Sequence, residues 1–451
     1  MRKSVAIIGA GPVGLAAAAH LLVRGLTPIV LEAGPQAAHA VRHWQHVQLF
    51  SPWEYNVDKA ARRLLASSGW NSPDPDHYPT GGELIEHYIE PLATRTALRD
   101  VIRTSARVTA ISRLGFDKAM SKGRERAPFE IRYRNGKGDE MLQADAVIDA
   151  SGTWFSPNPA GANGLPAIGE QAFQTLIAYG MPDVLGTARA RYAGKTVAVL
   201  GAGHSAIGTL IDLARLAEEA PGTTAIWLLR GANPAKAFGG GRNDKLAARG
   251  ELGSAFARLV QGGRIKVETS FGVTRISQDQ GRLRIAAADT RNVVADELVV
   301  ATGFRPDLSF LGELRLRLDP AIEAPVALAP LIDPNIHSCG TVRPHGAREL
   351  APDEPDFYVA GMKSYGRAPT FLMMTGYEQV RSIAADIAGD KAAAARVELK
   401  LPETGVCTRG GVESASTAAG CCGGPAKVDA SACCAADETA KSKGASGCGC
   451  S

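Results

Sequence analysis

The sequence predicts an α/β protein of two doubly wound parallel-sheet units, the second inserted into the first, followed by a cysteine-rich tail with no core of its own. Three observations carry this. Two apolar runs each end in a Gly-x-Gly turn that opens a helix: Val5-Ala-Ile-Ile-Gly-Ala-Gly-Pro-Val-Gly14 and Val197-Ala-Val-Leu-Gly-Ala-Gly-His-Ser-Ala206. Two later apolar runs, ending Ala150-Ser151-Gly152 and Ala301-Thr302-Gly303, echo one another where each unit closes. A last apolar run, Phe357–Ala360 with Gly361, precedes a helical stretch from about Thr375 to Ala388 and reads as a return to the first unit.

The glycines have separate tasks. Gly9 permits the tight turn, Gly11 lets backbone N–H groups approach a pyrophosphate, and Gly14 lets the helix pack close to its strand; Gly201, Gly203 and Ala206 take the same places in the second unit. Phosphates then sit at a helix N-terminus, where unpaired donors and the dipole favour anions; in the second turn His204 and Ser205 open that helix. Two such turns predict two dinucleotides. Strand Pro28–Leu31 ends at Glu32, about twenty positions on, where a carboxylate binds a ribose diol. Strand Ala225–Leu229 ends instead in Arg230, which suits a 2′-phosphate and, with Lys236 or Arg242, argues for NADPH. The alternative for Arg230 is a solvated strand end.

Between these marks, Ala106–Ile111 and Phe129–Arg134 alternate like strands of a small sheet around Asn135-Gly136. A Pro/Gly/Asn-rich linker covers 156–169. The expected boundaries are 1–155 and 309–395 for the first unit, 170–308 for the second, and 402–451 for a flexible, disordered tail. From about Lys391 the composition shifts to Ala, Gly, Ser, Lys and Cys, too poor in large apolar residues to fold alone.

Composition narrows the function. With 451 residues, two or three domains are expected, and 45% hydrophobic with 21% charged residues describes a soluble globular protein. A net charge of +4, with no basic stretch interleaved with aromatics, argues against nucleic acid. The stretch from Met1 to Val23 imitates a secretory leader, but its glycines serve the dinucleotide turn and His20 interrupts it, so a cytoplasmic, membrane-free protein is expected. Of eight cysteines only Cys339 lies in the body; Cys407, Cys421, Cys422, Cys433, Cys434, Cys448 and Cys450 crowd the tail. A disulfide scaffold would spread them through the core, so reduced thiols are expected.

Together these motifs resemble the flavoproteins with two Rossmann-like dinucleotide-binding domains, over about residues 1–390. The resemblance implies FAD in the first domain, with Val108, Ser151, Gly152, Gly361 and Thr375 beside it, and NADPH in the second, with Thr302 and Gly303 at its strand-end turn. Met362 stands where that family commonly has Asp. The dithiol reductases of the group need a Cys-x-x-Cys beside the flavin, and the body has one cysteine. Trp44, twelve residues beyond Glu32, is similar in place to a tryptophan of the flavin-containing monooxygenases. Their Phe-x-Gly-x-x-x-His signature is absent, the region reading Phe173-Gln-Thr-Leu-Ile-Ala-Tyr-Gly-Met-Pro-Asp183.

The segment Trp44–Asn56, the Gly-His-Ser-Ala turn and the Cys-Cys tail resemble the flavin monooxygenases of bacterial arsenic-resistance clusters. That implies transfer of one atom of molecular oxygen, through a C4a-hydroperoxyflavin, to a trivalent arsenical, antimonite or another small soft nucleophile. Trp44, Gln48, Ser51 and Asn56 are the candidate pocket residues, with Trp53 beside them; the alternative is that these aromatics fill a domain interface. Met373, Met374, Thr375 and Gln379 are candidates for the opposite side of the flavin. His39, His43 and His46 read as a metal set, flavin-phosphate contacts or exposed side chains. Cys421, Cys422, Cys433, Cys434, Cys448 and Cys450 offer soft thiolates for a metalloid, Cu(I) or Zn(II); a redox relay and an inert tail are the other readings. A disulfide reductase using those thiols and a metalloid-binding protein are the rival functions. The sequence leaves the oligomeric state open.

Overall fold

The computed structural model describes residues 2–238, 247–336, 342–369 and 371–399. Expectations resting on Arg242, on the Lys236 side chain and on the eight cysteines lie outside the described residues.

The strands of the first unit are β1 (Ser4–Ile8), β2 (Thr27–Leu31), β3 (Ile102–Arg103), β4 (Arg107–Arg113), β5 (Phe129–Asn135), β6 (Gly138–Ala144) and β7 (Ala146–Asp149). The second unit contributes β8 (Ile177–Tyr179), β9 (Thr196–Leu200), β10 (Thr224–Leu228), β11 (Ile265–Glu268), β12 (Val273–Asp279), β13 (Arg282–Ala287), β14 (Asn292–Ala295) and β15 (Glu297–Val300), and β16 (Phe357–Val359) follows. Two parallel five-stranded sheets result, ordered β16-β7-β1-β2-β3 and β11-β10-β9-β15-β8, each accompanied by an antiparallel three-stranded sheet. Since β16 pairs with β7, Phe357 opposite Val147, the chain leaves the first sheet, builds the second and returns.

The central strands are apolar throughout because both their faces are covered. Along β1, Val5 and Ile7 join the helical core that includes Leu15 and Val380. Ala6 and Ile8 face the antiparallel sheet through Ile111, Phe129 and Ile131. The second unit repeats this: Val197 and Val199 meet one cluster, Ala198 and Leu200 another. Two linkers join the units side by side. Asn158 N–H donates to the Gly303 carbonyl and Arg305 N–H to that of Ser156, both at 2.9 Å.

The first fingerprint helix is Pro12–Val23, with proline in its first turn, where the missing N–H costs no hydrogen bond. The late helix is Met373–Ile387. The composition shift at Lys391 does not end the fold. Lys391–Ala395 is a short helix, and it and the chain beyond are hydrogen-bonded to the late helix: Arg381 donates to the Ala393 carbonyl at 2.9 Å, and Glu398 N–H to Glu378 Oε1 at 3.0 Å. Ala393 is the buried residue of this segment, which is held to the late helix by these hydrogen bonds. Among the described residues no helix is long and apolar enough to cross a membrane.

Candidate functional site: two nucleotide cradles

The first cradle is fixed by close backbone approach. Gly9 has φ +100°, and a Cβ there would lie 2.8 Å from the Ala150 carbonyl oxygen; one on Gly14 would lie 2.0 Å from the Gly9 carbonyl oxygen. Gly11 faces open space, the room a pyrophosphate at this helix end requires. Glu32 is buried, its Oε2 accepting Ala10 N–H and its Oε1 accepting Gly34 N–H, each at 2.8 Å. Each carboxylate oxygen retains a lone pair for a ribose hydroxyl. Ala106 N–H donates to the Glu32 carbonyl at 2.8 Å, which brings the start of β4, with Val108, alongside.

The return of the chain completes this cradle. Cβ atoms on Gly361 and Gly376 would meet the Val13 side chain at 3.4 and 2.6 Å, so the β16 turn and the late helix, with buried Thr375, close over the first fingerprint. Gln379 is committed to the turn: it accepts Gly361 N–H at 2.7 Å, donates to Ser364 Oγ at 3.0 Å and lies 2.8 Å from His345 Nε2. His345 Nδ1 faces the Arg343 carbonyl at 3.1 Å, and burial pushes its pKa down, so the neutral ring with Nε2 accepting from Gln379 satisfies every partner.

Sequence reasoning missed Lys363, next to the Met362 that departs from the flavoprotein pattern. Its ammonium is fully buried, 2.6 Å from the equally buried Asp149. It also donates to Ser151 Oγ at 3.1 Å, while Asp149 Oδ1 accepts from Ser151 Oγ at 2.7 Å and from Ser151 N–H at 3.1 Å. The pair thus fixes Ser151 at the edge of the cradle, with open space at Gly152 beyond it. A lysine two residues after a strand-end glycine carries no spacing signal, and only the β16–β7 pairing brings it to Asp149.

The second cradle repeats the plan. Gly201 has φ +144°, and a Cβ there would lie 2.3 Å from the Ala301 carbonyl oxygen, as Gly9 meets Ala150. This is why the two strand-end turns echo: each must pass its carbonyl under a glycine without a side chain. Gly203 faces open space, and His204 and Ser205 begin the helix His204–Glu219. Thr302 and Gly303 serve the linker, Thr302 Oγ1 donating to the Asn158 carbonyl at 3.2 Å. Arg230 is exposed and, among the described residues, donates to the Ala162 carbonyl at 3.1 Å, with further guanidinium N–H groups able to meet an anion.

The 44–56 segment lies between the cradles. Residues 45–49 hydrogen-bond to 79–82, with Trp44 packed on Gly81, and Gln48 donates to the Tyr78 carbonyl at 3.1 Å. Asn56 is fully buried, and its side chain is committed locally: it donates to the Ser51 and Pro52 carbonyls and accepts from Ser51 Oγ at 2.9 Å. Trp53 is buried in the core of the first unit. The Asn56 carbonyl accepts from Tyr377 of the late helix at 2.9 Å. Trp44 and Gln48 therefore remain with part of their surface free, whereas Ser51, Trp53 and Asn56 hold the loop's shape. At the far side Phe50 reaches the second unit, its ring 5.0 Å from that of His204.

Two of the three histidines stay together, the rings of His39 and His43 lying 5.0 Å apart. His39 and His43 pack on Phe155, at ring distances of 5.6 and 5.2 Å, and burial pulls the pKa of His43 down. His46 stands by Asp183 of the second unit. Among the described residues no group of three or more His, Cys, Asp or Glu side chains is placed to hold a metal ion.

Two glycine cradles of this geometry, on two parallel sheets joined by a double linker, define a class of oxidoreductase. A family model described as pyridine nucleotide-disulphide oxidoreductase matches residues 6–326, and the chain belongs to that family. It is 24% identical over 245 residues to flavin-containing monooxygenase FMO GS-OX-like 2 of Arabidopsis thaliana, a match covering 48% of each chain. The chain thus spans about half the length of the curated relatives it matches. Two solved structures share the fold. Bacillithiol disulfide reductase Bdr of Bacillus cereus has a TM-score of 0.64 at 20% identity, covering 86% of this chain and 99% of its own. The flavin-containing monooxygenase of Stenotrophomonas maltophilia has a TM-score of 0.53 at 21% identity over the same shares.

Proposed function

We propose that this protein is an FAD- and NADPH-dependent monooxygenase that oxidises trivalent arsenicals or antimonite to the pentavalent state in the cytoplasm. The observation that carries the reading is the pair of cradles with opposite ribose-end charges, Glu32 and Arg230, in a chain with no cysteine before Cys339. A flavin and a phosphorylated nicotinamide nucleotide account for both charges, and the relatives named flavin-containing monooxygenases support the same cofactors. The metalloid is argued from the tail thiols, which are soft ligands for trivalent arsenic and antimony.

This chain's residues have limited tasks, since the cofactor carries the redox chemistry. Glu32 takes the ribose diol, the Gly11–Pro12–Val13 helix end takes the pyrophosphate, and Ser151, Gly152, Gly361 and Thr375 border the remainder. Gly203, His204 and Ser205 receive the second pyrophosphate, and Arg230 its 2′-phosphate. Trp44 and Gln48 line the way between the cradles and keep water out. FAD, when bound, accepts hydride from NADPH and passes electrons to oxygen. The balance closes: NADPH and the substrate lone pair each give two electrons, and oxygen takes four, ending as one water and one product oxygen.

The test is NADPH oxidation by the FAD-loaded protein in air, with and without arsenite, methylarsenite and antimonite, with catalase present. Pentavalent product equal to the NADPH consumed is expected. NADPH loss that depends on an added disulfide would overturn the reading in favour of a reductase.

A further inference from the structure

The 44–56 segment belongs to the first unit by its hydrogen bonds, yet it makes an aromatic contact with the second. Phe50 meets His204 with ring centroids 5.0 Å apart and planes at 61°. His204 is the first residue of the second fingerprint helix, directly after Gly203. A Cβ on Gly203, or on Gly208 one turn along, would meet nothing within 4 Å, so room for a nucleotide opens beside this contact. The loop approaches the second unit again through His46, which feels the carboxylate of Asp183. At its other end the Asn56 carbonyl is held by Tyr377, two residues from Thr375 in the late helix. One loop therefore touches the opening of the second cradle and the closing wall of the first.

We infer that Phe50 is a positioning residue that couples nucleotide occupancy of the second cradle to the conformation of the 44–56 loop. The inference rests on the proposed nucleotide site. A pyrophosphate at the end of the His204–Glu219 helix favours the charged imidazole, because an opposite charge within a few ångströms stabilises it. An imidazolium beside a phenyl ring gains a cation–π attraction that the neutral ring lacks, enough to shift an equilibrium by roughly two- to fivefold at an exposed site. The bound nucleotide thus pulls Phe50 onto His204 and stiffens the loop carrying Trp44 and Gln48. By linkage, a ligand that orders this loop tightens nucleotide binding by the same factor. Phe50 carries no sequence motif; its role comes from its reach across the cleft.

The experiment is hydrogen–deuterium exchange on the FAD-loaded full chain, with and without saturating NADP+. In the wild type, NADP+ is expected to slow exchange at 204–209 and, by about threefold, at 47–56. Phe50→Ala should keep the protection at 204–209 and lose it at 47–56, whereas Phe50→Tyr should keep both. Should Phe50→Ala fail to fold, His204→Ala tests the same contact from the other side and should also uncouple the loop. Protection at 204–209 with an indifferent loop in the wild type, or a loop still protected in Phe50→Ala, overturns the inference while the nucleotide site stands. No protection at either place removes the nucleotide site and the inference with it.

Discussion

At the strand end of the first cradle a buried carboxylate is held by two backbone N–H groups; at the same place in the second, an arginine stands exposed and donates to the Ala162 carbonyl. The first is closed over by the β16 turn and the late helix, and a buried Lys363–Asp149 pair steadies its edge. At the second, a loop crosses from the other unit and meets His204 through Phe50. Two cradles built on one backbone plan are thus finished differently: one is closed over by the returning chain, the other carries an exposed arginine at its strand end.

The largest effect that would break this comparison lies at Lys363. Lys363→Met leaves Asp149 buried without its partner, a loss of about 3–5 kcal/mol. Lys363→Met with Asp149→Leu should recover most of it, as read by urea unfolding. A small loss in the single variant would mean that the first cradle is not steadied by this pair. Next is Gly14→Ala, whose Cβ would sit 2.0 Å from the Gly9 carbonyl oxygen. We expect about 3 kcal/mol of overpacking cost and loss of the flavin absorbance. Gly203→Ala, whose Cβ meets nothing, should leave Tm unchanged but weaken NADP+ binding by about tenfold, the scale of one hydrogen bond to a charged group.

Arg230 sharpens the contrast in ligand charge. Arg230→Ala should raise the KM for NADPH by about 10- to 100-fold and leave that for NADH nearly unchanged; equal losses for both would remove the 2′-phosphate assignment. The smallest effect concerns Asp212 on the second fingerprint helix. Burial pushes its pKa up to about 6 from 3.8, with Asp183 adding to the rise and Arg215, 3.8 Å away, opposing it. A raised native pKa means that the folded state binds the proton more tightly, so stability falls as pH rises between 3.8 and about 6 and stays lowered above. Asp212→Asn should therefore be more stable than wild type by about 1–2 kcal/mol at pH 8 and no different near pH 4, as read by denaturant midpoints.

Much of this comparison was legible in the residues. Gly9, Gly14 and Gly201 carry their meaning locally, since a tight turn followed by close packing leaves no room for a side chain. Glu32 and Arg230 are legible as strand-end residues because each closely follows an apolar strand. The 44–56 loop was legible as a candidate pocket lining, but not in its division of labour. Ser51 and Asn56 read as free polar groups, yet they bond to one another. Lys363 and Asp149 are 214 positions apart and Phe50 and His204 are 154 apart, with no spacing to announce either contact. Lys391–Ala395 lies inside the expected 309–395 boundary although its composition is already that of the tail; its hydrogen bond to the late helix is what the composition does not announce.

The placement of β16 also bears on the order in which the molecule matures during synthesis. All strands of the second sheet lie between Ile177 and Val300, so that unit is complete once its own stretch has left the ribosome. The first sheet waits for Phe357–Val359, and its helical layer for Met373–Ile387, which packs on the helix made at the very start of the chain. Domains fold as units while they emerge, and contacts this distant in sequence are slow to form. The N-terminal unit is therefore the last to close, with the second already folded in the middle of it. The newborn chain thus holds one finished glycine cradle before the other, whose walls come from early and late segments, can close.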